Sequence, residues 1–246
     1  MSKILLIRHG QASFGAENYD CLSPLGERQA AYLGQYLRAQ SVAAHHVIAG
    51  NMTRHQQTCD GVMNALTGKD TPVHIPAHIP AHIDAAWNEF DYRQVLGLVD
   101  PDFIDHSKLN AYFTQQPNAE AAFVAVFAKA IEKWITGQYD LASAPECESW
   151  VSFQTRVLQG LERAVAATPK GQNTLVFTSG GAITVVLLSL LSIPVERFLW
   201  INKELVNCGL TQLRVGKQGA VLFTMNEHHA MERASQEYGE NFVSFK

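Results

Sequence analysis

The start of the chain constrains its fold more than any other stretch. Ile4 to Ile7 form a run of four apolar residues that is too short for a helix and has a β-branched residue at each end. Such a run is typical of a strand buried on both faces of a parallel sheet. It ends in Arg8, His9 and Gly10, and ligands of open α/β sheets bind beyond the carboxyl ends of the strands. We therefore expect a ligand site at this turn.

Arg8 and His9 suit the binding and transfer of a phosphoryl group. A guanidinium group can donate two parallel hydrogen bonds to phosphoryl oxygens. A neutral imidazole nitrogen can attack phosphorus and form a phosphohistidine. Taken alone, the tripeptide is also compatible with a surface ion pair at Arg8 and a hydrogen-bonded turn histidine, so the remaining motifs have to decide.

Length and composition predict a globular protein with one large α/β domain or two small ones, and we expect it to use no cofactor. The chain has 246 residues, of which 47% are hydrophobic and 17% charged, and a formal net charge of -4. A chain of this length needs no metal or disulfide to hold its core together. The absence of a basic block argues against nucleic acid as a partner. Without an export signal or a long apolar stretch, we expect no membrane partner and a cytoplasmic protein with reduced cysteines.

The alternation of apolar runs and amphipathic stretches predicts a three-layer α/β/α sandwich with a mostly parallel central sheet. Further strands are predicted at 47–50, 173–178, 210–215 and 220–225. Helices are predicted from Pro24 to about Arg38 with Ser23 as N-cap, after Asn51, after Ser149 and over 182–191. The polar stretch after the last strand is predicted to be a mobile tail.

We expect a single domain, residues 1–246, in which residues 101–144 form an inserted helical cap. The composition of that segment is helical, and no low-complexity linker separates it from the rest. Its aromatic residues Phe103, Tyr112 and Phe113 indicate that the cap accepts an organic moiety.

Two further strand-to-helix junctions carry residues that suit an anion. Arg54 follows the second predicted strand, in the first turn of a helix. Ser179 and Gly180 follow the strand at 173–178 and open another helix. Free backbone N–H groups and the helix dipole favour anions at such positions. The alternative interpretation is that Arg54 is an ordinary surface arginine of a helix.

A carboxyl group is available for proton transfer beside these junctions. Glu89 lies between Trp87 and Phe90 in the sequence, and a carboxyl group among aromatic side chains is partly desolvated and so holds a proton more readily. The alternative is a solvated acidic turn.

The unit His-Ile-Pro-Ala is repeated in tandem from His74 to His82. Histidines spaced by four residues could bind a metal ion on a helix, but the prolines forbid a regular helix. We therefore expect an extended, edge-like connecting segment and no metal site.

Several short motifs together match one family. They are Leu6-Ile7-Arg8-His9-Gly10-Gln11, the stretch Leu22 to Ala30, Arg54 with Gln57 and Thr58, the acid Glu89, and the Ser-Gly-Gly turn at 179–181. With these motifs the chain resembles the histidine phosphatase superfamily, also called phosphoglycerate mutase-like. The resemblance covers most of the chain apart from residues 101–144.

The resemblance implies a role for each matching residue. His9 would be the nucleophile that becomes phosphorylated. Arg8 and Arg54 would bind the phosphoryl oxygens and offset the charge of the transition state. Glu89 would protonate the leaving oxygen and then deprotonate the attacking water. No metal ion is implied, because the arginines and helix N-termini supply the positive field.

The chain departs from the family pattern at two positions. The family usually has a second histidine where Ser179 stands, and losing its charged hydrogen bond could cost about 10²–10³ in rate. This substitution leaves three alternatives. The enzyme is slower, or the site binds phosphate without turnover, or another group supplies the charge, such as the repeat histidines, His228 or His229. Some members also have an asparagine where Gly15 stands. Gln11 and Ser13 could take the place of this asparagine as phosphate ligands.

Hydrolysis of a small phosphorylated metabolite is the function that this resemblance favours. Phosphoglycerate mutases of this fold have long segments that keep water from the phosphohistidine, and these segments are not recognisable here. The sequence leaves open a homodimer, a catalytically weak phosphate-binding relative and a mutase-type phosphotransferase.

Overall fold

A computed structural model of the chain describes residues 2–13, 20–68, 79–140, 142 and 144–245. Within these residues six strands form one sheet. The strands are β1 (Ser2–Arg8), β2 (His46–Ala49), β3 (His82–Ile83), β4 (Asn173–Thr178), β5 (Leu210–Gly216) and β6 (Gly219–Glu227). Their order across the sheet is β3-β2-β4-β1-β5-β6.

The sheet is mostly parallel, as predicted. β3, β2, β4 and β1 all pair in parallel, whereas β5 runs antiparallel to both β1 and β6. The strands predicted from apolar runs are present at nearly the predicted bounds. β3 is a short edge strand at the end of the His-Ile-Pro-Ala segment, of which His74 and His78 lie outside the described residues.

Helices connect and flank the strands. They are α1 (Pro24–Ala39), α2 (Thr53–Leu66), α3 (Tyr92–Gly97), α4 (His106–Thr114), α5 (Ala119–Thr136), α6 (Trp150–Ala166), α7 (Gly180–Leu191), α8 (Phe198–Asn202) and α9 (His229–Tyr238). Short 3₁₀ turns lie at Ala85–Trp87, Pro101–Ile104 and Val195–Arg197. Among the helices of the described segments, none combines the length and apolar character that a membrane crossing requires.

Two of the three predicted helix caps are confirmed. Ser23 Oγ accepts a hydrogen bond from the Gly26 N–H at 3.1 Å, and Ser149 Oγ accepts one from the Ser152 N–H at 3.1 Å. The prediction that Asn51 caps α2 is wrong, because its side chain bonds to Asn88 instead. The carboxylate of Asp20 accepts the Thr53 N–H at 2.8 Å and so takes over this capping function.

The chain divides into two compact units. One unit contains the whole sheet and consists of Met1–Glu89, Val157–Ile193 and Trp200–Lys246. The other consists of Phe90–Arg156 and Pro194–Leu199, and it contains the predicted insertion 101–144 together with flanking residues. A single domain with that insertion as a cap stays a prediction.

In the unit with the sheet, β1 is buried on both of its faces. Leu5 and Ile7 of β1 belong to an apolar cluster with residues of α1, α2 and α9. Ile4 and Leu6, both 0% exposed, point to the opposite face because side chains alternate along a strand. α7 contacts β1 and β6 and covers that second face.

The other unit has an aromatic core of its own. Phe90 packs against Trp134 of α5 with ring centroids 4.6 Å apart, and the Trp134 indole N–H donates to the Glu148 carbonyl at 2.6 Å. Phe103 and Phe113 are 4% and 8% exposed, so these rings serve packing within the unit. Tyr112 is 41% exposed, and acceptance of an organic moiety by this segment stays a prediction.

The prediction of a mobile C-terminal tail is also wrong. The residues after β6 form α9, which buries Ala230, Met231 and Ala234 against the sheet unit. Beyond the helix, Phe242 is 0% exposed. Ala230, Met231 and Ala234 recur at the spacing of one helix face, a pattern that the sequence analysis did not use.

Candidate active site

The ends of three parallel strands bring the predicted site residues to one edge of the sheet. β1 and β4 pair in register so that Arg8 lies beside Thr178, and β2 pairs with β4 so that Ala49 lies beside Phe177. The turns after these strands carry His9, Arg54 and Ser179. They therefore start next to one another.

The backbone of His9 is fixed on both sides. Its N–H donates to the Thr178 carbonyl at 2.9 Å, and its carbonyl accepts from Asn207 Nδ2 at 3.1 Å. The side chain is almost fully buried, and ring atom Nδ1 lies 2.7 Å from the Gly10 carbonyl oxygen. A carbonyl oxygen can only accept, so Nδ1 carries the hydrogen and Nε2 of the neutral ring keeps its lone pair.

The surroundings of His9 keep its ring neutral. Burial lowers the pKa of His9 well below its ordinary value, and the positive charges of Arg54 and Arg8 lower it further. An imidazole that is neutral at physiological pH has a nucleophilic nitrogen available. Position, tautomer and charge therefore all suit His9 to attack an electrophile.

Arg54 is held in the first turn of α2 by a carboxylate that the sequence analysis did not single out. The residue is 4% exposed, and its Nη1 lies 2.8 Å from Asp20 Oδ1. Because the same carboxylate accepts the Thr53 N–H, Asp20 fixes both the start of α2 and the guanidinium group. No local pattern links Asp20 to Arg54, since they are 34 residues apart.

Arg8 is oriented by backbone carbonyls. Its guanidinium group donates to the carbonyl of Leu205, and Nη2 donates to the carbonyl of Phe245 at 3.1 Å. It also lies beside the turn between β4 and α7, because a β-carbon added at Gly180 would be 3.5 Å from Arg8 Nε. The structure therefore places Arg8 and Gly180 together.

The turn between β4 and α7 also brings in Glu89. The N–H of Gly181 donates to Glu89 Oε2 at 3.0 Å, which puts the carboxylate at the N-terminal end of α7. The Ser179 side chain is fully buried and makes no capping bond to α7. Its hydroxyl lies 2.6 Å from Nε2 of His55.

His55 is a site residue that the sequence analysis missed. It follows Arg54 in the first turn of α2, is 0% exposed, and its ring centroid lies 5.7 Å from that of His9. Burial, and then the charge of Arg54, lower the pKa of His55 well below its ordinary value. The signal available in the sequence was its position directly after the motif residue Arg54. Of the histidines named as alternatives, His228 bonds to the Asn226 carbonyl and to Glu232, and His74 and His78 lie outside the described residues.

Gln11 and Ser13 contact neighbouring parts of the protein. Gln11 Oε1 accepts from the Ser23 hydroxyl at 2.8 Å. The Ser13 hydroxyl donates to the Leu22 carbonyl at 3.0 Å. Phosphate binding by these two side chains stays a prediction, and Gly15 lies outside the described residues.

Two other motif residues fasten α2 to the turn after β1. Thr58 Oγ1 accepts the Gly10 N–H at 3.0 Å and donates to the Arg54 carbonyl at 2.6 Å. Gln57 Oε1 accepts the Leu22 N–H at 2.8 Å. The motif that carries Arg54 therefore also sets the position of the turn that carries His9.

The arrangement offers positive charge from arginines to an anion. Among the residues that the structure describes, no group of histidine, cysteine or acidic side chains is placed to hold a metal ion. A buried neutral imidazole, two guanidinium groups, a helix N-terminus and a carboxylate are the groups needed to bind and transfer a phosphoryl group.

The sequence profile of the histidine phosphatase superfamily (branch 1) matches residues 4–123 and 115–228 of this chain. These matches include every motif residue described above. A curated protein that matches is the mitochondrial serine/threonine-protein phosphatase Pgam5 of Drosophila virilis, which is 40% identical over 65 residues. That segment is 26% of this chain and 22% of the Drosophila protein.

Solved structures with the same fold include three proteins at low sequence identity. YhfR of Bacillus stearothermophilus has a TM-score of 0.64 and 16% identity, with coverage of 94% of this chain and 99% of that one. A putative alpha-ribazole-5'-P phosphatase of Escherichia coli has a TM-score of 0.62 and 20% identity, with coverage of 92% and 96%. A phosphoglycerate mutase of Bacillus anthracis has a TM-score of 0.60 and 17% identity, with coverage of 93% and 94%.

Proposed function

Because the chain belongs to the histidine phosphatase superfamily (branch 1), we propose that it hydrolyses a phosphomonoester through a phosphohistidine at His9, without a metal ion. The observation that carries this proposal is the state of the His9 ring. It is buried, its Nδ1 is held 2.7 Å from the Gly10 carbonyl, and its pKa is lowered. A neutral ring with its lone pair on Nε2 is the form that attacks phosphorus.

The proposed reaction has two steps. First, the Nε2 lone pair attacks phosphorus, the bond from phosphorus to the ester oxygen breaks, and Glu89 gives its proton to the leaving oxygen. Water then attacks the phosphohistidine, Glu89 takes the proton from that water, and the bond from phosphorus to nitrogen breaks. Inorganic phosphate leaves, and His9 is neutral again.

The arginines and the α7 turn support both steps. Arg8 and Arg54 offset the negative charge that the phosphoryl oxygens carry in each transition state. The Gly181 N–H donates to Glu89 Oε2 at 3.0 Å, which holds the proposed acid and base against the turn that carries Ser179. Gln11 and Ser13 are proposed as further contacts of the phosphoryl group.

The proposed substrate is a small phosphorylated metabolite with an organic leaving group. Proteins of the same fold are named as a putative alpha-ribazole-5'-P phosphatase and a phosphoglycerate mutase, so both hydrolysis and transfer occur on it. Hydrolysis is preferred because the chain lacks recognisable segments of the kind that exclude water in the mutases.

Hydrolysis of p-nitrophenyl phosphate in the presence of EDTA tests the proposal. We expect turnover to persist in EDTA and to fall by more than about 10³-fold in His9→Ala, because the nucleophile is removed. His46→Ala is the matched control. His46 is a partly buried histidine at the opposite end of β2, bonded to Gln172 at 2.8 Å, and its loss should leave turnover within about twofold. Full activity of His9→Ala would refute the proposal.

A phosphate-binding protein without turnover is the second candidate. It is favoured by Ser179, whose neutral hydroxyl stands where the family usually has a histidine and lies 2.6 Å from His55 Nε2. Calorimetric titration with inorganic phosphate would then show binding by a protein that releases no product from any phosphomonoester. Brisk hydrolysis by the wild-type protein would exclude this candidate.

A further inference from the structure

The imidazole that is absent from the β4–α7 turn has a counterpart on α2. Ser179 stands where the family usually has a histidine, and its hydroxyl meets Nε2 of His55 at 2.6 Å. Both residues are 0% exposed. The His55 and His9 ring centroids are 5.7 Å apart, so the pair adjoins the ring that would carry the phosphoryl group.

The surroundings of His55 are shaped for an imidazole. A β-carbon added at Gly50 would lie 2.2 Å from His55 Nδ1, so the ring fits because residue 50 is glycine. The small side chain at position 179 leaves room for the ring on its other side. The Ser179 hydroxyl already lies 2.6 Å from His55 Nε2, so a larger side chain pointing in the same direction would overlap the ring.

The hydrogen bonds of the pair favour one tautomer. His55 Nδ1 is buried and has no hydrogen-bond partner among the described residues. A buried N–H without an acceptor is rarer than an acceptor without a donor, so the hydrogen belongs on Nε2. Nε2–H then donates to Ser179 Oγ, and the hydroxyl hydrogen of Ser179 is available to a third group.

We propose that His55 is the second imidazole of the phosphoryl site and acts through Ser179. Its Nε2–H donates to Ser179 Oγ, and the Ser179 hydroxyl donates its own hydrogen to a phosphoryl oxygen. His55 is thus a positioning residue, and Ser179 is the group that contacts the phosphoryl oxygen. This inference rests on the proposed function of His9.

A double-mutant cycle on p-nitrophenyl phosphate hydrolysis tests this relay. We expect Ser179→Ala and His55→Ala each to lower kcat by about 10²-fold, the effect of losing one transition-state donor. KM should change by less than about threefold. The double variant should be no slower than Ser179→Ala, because His55 acts only through the hydroxyl that this single variant already lacks.

Two further variants separate this role from a merely structural one. His55→Gln keeps an N–H donor near the Nε2 position and should retain at least about tenfold more activity than His55→Ala. His55→Ala combined with Ser179→His returns the imidazole to the turn and should exceed His55→Ala by about tenfold or more. Thermal unfolding of each variant shows that the compared proteins are folded.

The inference is overturned if His55→Ala is folded and keeps the wild-type kcat. It is also overturned if the losses in kcat of the two single variants multiply in the double variant, or if His55→Gln and His55→Ala are equally active. These results differ from failure of the proposed function. If His9→Ala is inactive while His55→Ala is fully active, the relay alone is refuted. If His9→Ala is active, the phosphohistidine itself is refuted.

Discussion

Burial determines the charge of the two imidazoles beside the sheet edge. His9 and His55 both have a pKa well below the ordinary value of 6.5, mainly because burial disfavours the charged ring. Each takes up its proton near pH 6.5 in the unfolded chain but only at a lower pH in the folded protein. As the pH falls below about 6.5, the unfolded state therefore binds more protons and is stabilised relative to the folded state.

We therefore expect the free energy of unfolding to fall as the pH is lowered from 7 to 5. Each of the two histidines contributes up to about 1.4 kcal/mol per pH unit in this window. Urea unfolding at several pH values measures the slope. His55→Gln should make the slope shallower, because one buried titrating group is removed.

The matched control for this slope is Thr184→Ala. Thr184 is buried in α7 and bonds to the Gly180 carbonyl at 2.8 Å, so its loss destabilises the protein without removing a titrating group. Its stability curve should be lower but parallel to that of the wild type. An unchanged slope in His55→Gln would show that the buried imidazole is not linked to stability.

Individual site residues differed in how far the sequence could reveal them. His9, Arg54 and Ser179 follow apolar strands, and the rule that strand ends meet at one sheet edge was enough to bring them together. The partner of Ser179 is His55, which is 124 residues away in the sequence. Only the folded chain puts these two side chains in contact, so no spacing rule could have identified the pair.

At the scale of elements, the start of α1 packs directly on the turn after β1. A β-carbon at Gly10 would lie 2.5 Å from the Gly26 carbonyl oxygen, and one at Gly26 would lie 2.1 Å from the Gln11 carbonyl oxygen. Backbone thus lies against backbone, without space for a side chain. The position of the His9 turn depends on this contact.

Gly26→Ala should therefore destabilise the protein and also lower its rate of p-nitrophenyl phosphate hydrolysis. Alanine favours a helix over glycine by about 1 kcal/mol. However, the added β-carbon would overlap backbone atoms, which cannot move aside as a flexible side chain can, and such overpacking costs about 1–3 kcal/mol. Gly216→Ala is the control, because a β-carbon there meets no heavy atom within 4 Å. Similar melting temperatures and activities for the two variants would contradict the expected difference.

The sequence revealed elements wherever local patterns decide them. The apolar strands and the Ser23–Pro24 start of α1 were predicted because burial on both faces and capping leave local signatures. The cap of α2 depends on Asp20, which lies 33 residues before Thr53. α9 depends on contacts with distant residues such as Tyr32, whose hydroxyl donates to Glu237 at 2.8 Å. The distant partner accounts for the missed cap of α2, whereas α9 carried a helical spacing of buried residues that the sequence analysis did not use.

At the scale of the whole sheet-bearing unit, the residues after α9 connect the end of the chain to the site. Gln29 is 0% exposed, and its Nε2 donates to the Phe242 carbonyl at 2.7 Å while its Oε1 accepts the Gln11 N–H at 2.8 Å. The Phe245 carbonyl accepts from Arg8. One buried amide thus joins α1, the turn after His9 and the C-terminal segment, and the same segment orients a guanidinium group.

Removing the anchor of this segment should therefore affect both stability and the site. Phe242→Ala deletes a ring that is 0% exposed and should cost about 3–5 kcal/mol. That is a large part of the roughly 5–15 kcal/mol by which domains are usually stable. Released from its anchor, the segment no longer holds Gln29 and Arg8, so kcat/KM should also fall at temperatures where the variant is folded.

Phe245→Ala is the control variant, because it changes a side chain of the same segment without removing the anchor Phe242. The Phe245 side chain is 48% exposed, and the group that contacts Arg8 is a backbone carbonyl that alanine retains. Chemical denaturation should place Phe245→Ala within about 0.5 kcal/mol of wild type, with unchanged kcat/KM. If Phe242→Ala loses stability but keeps full kcat/KM while folded, the C-terminal segment stabilises the unit without positioning the arginine.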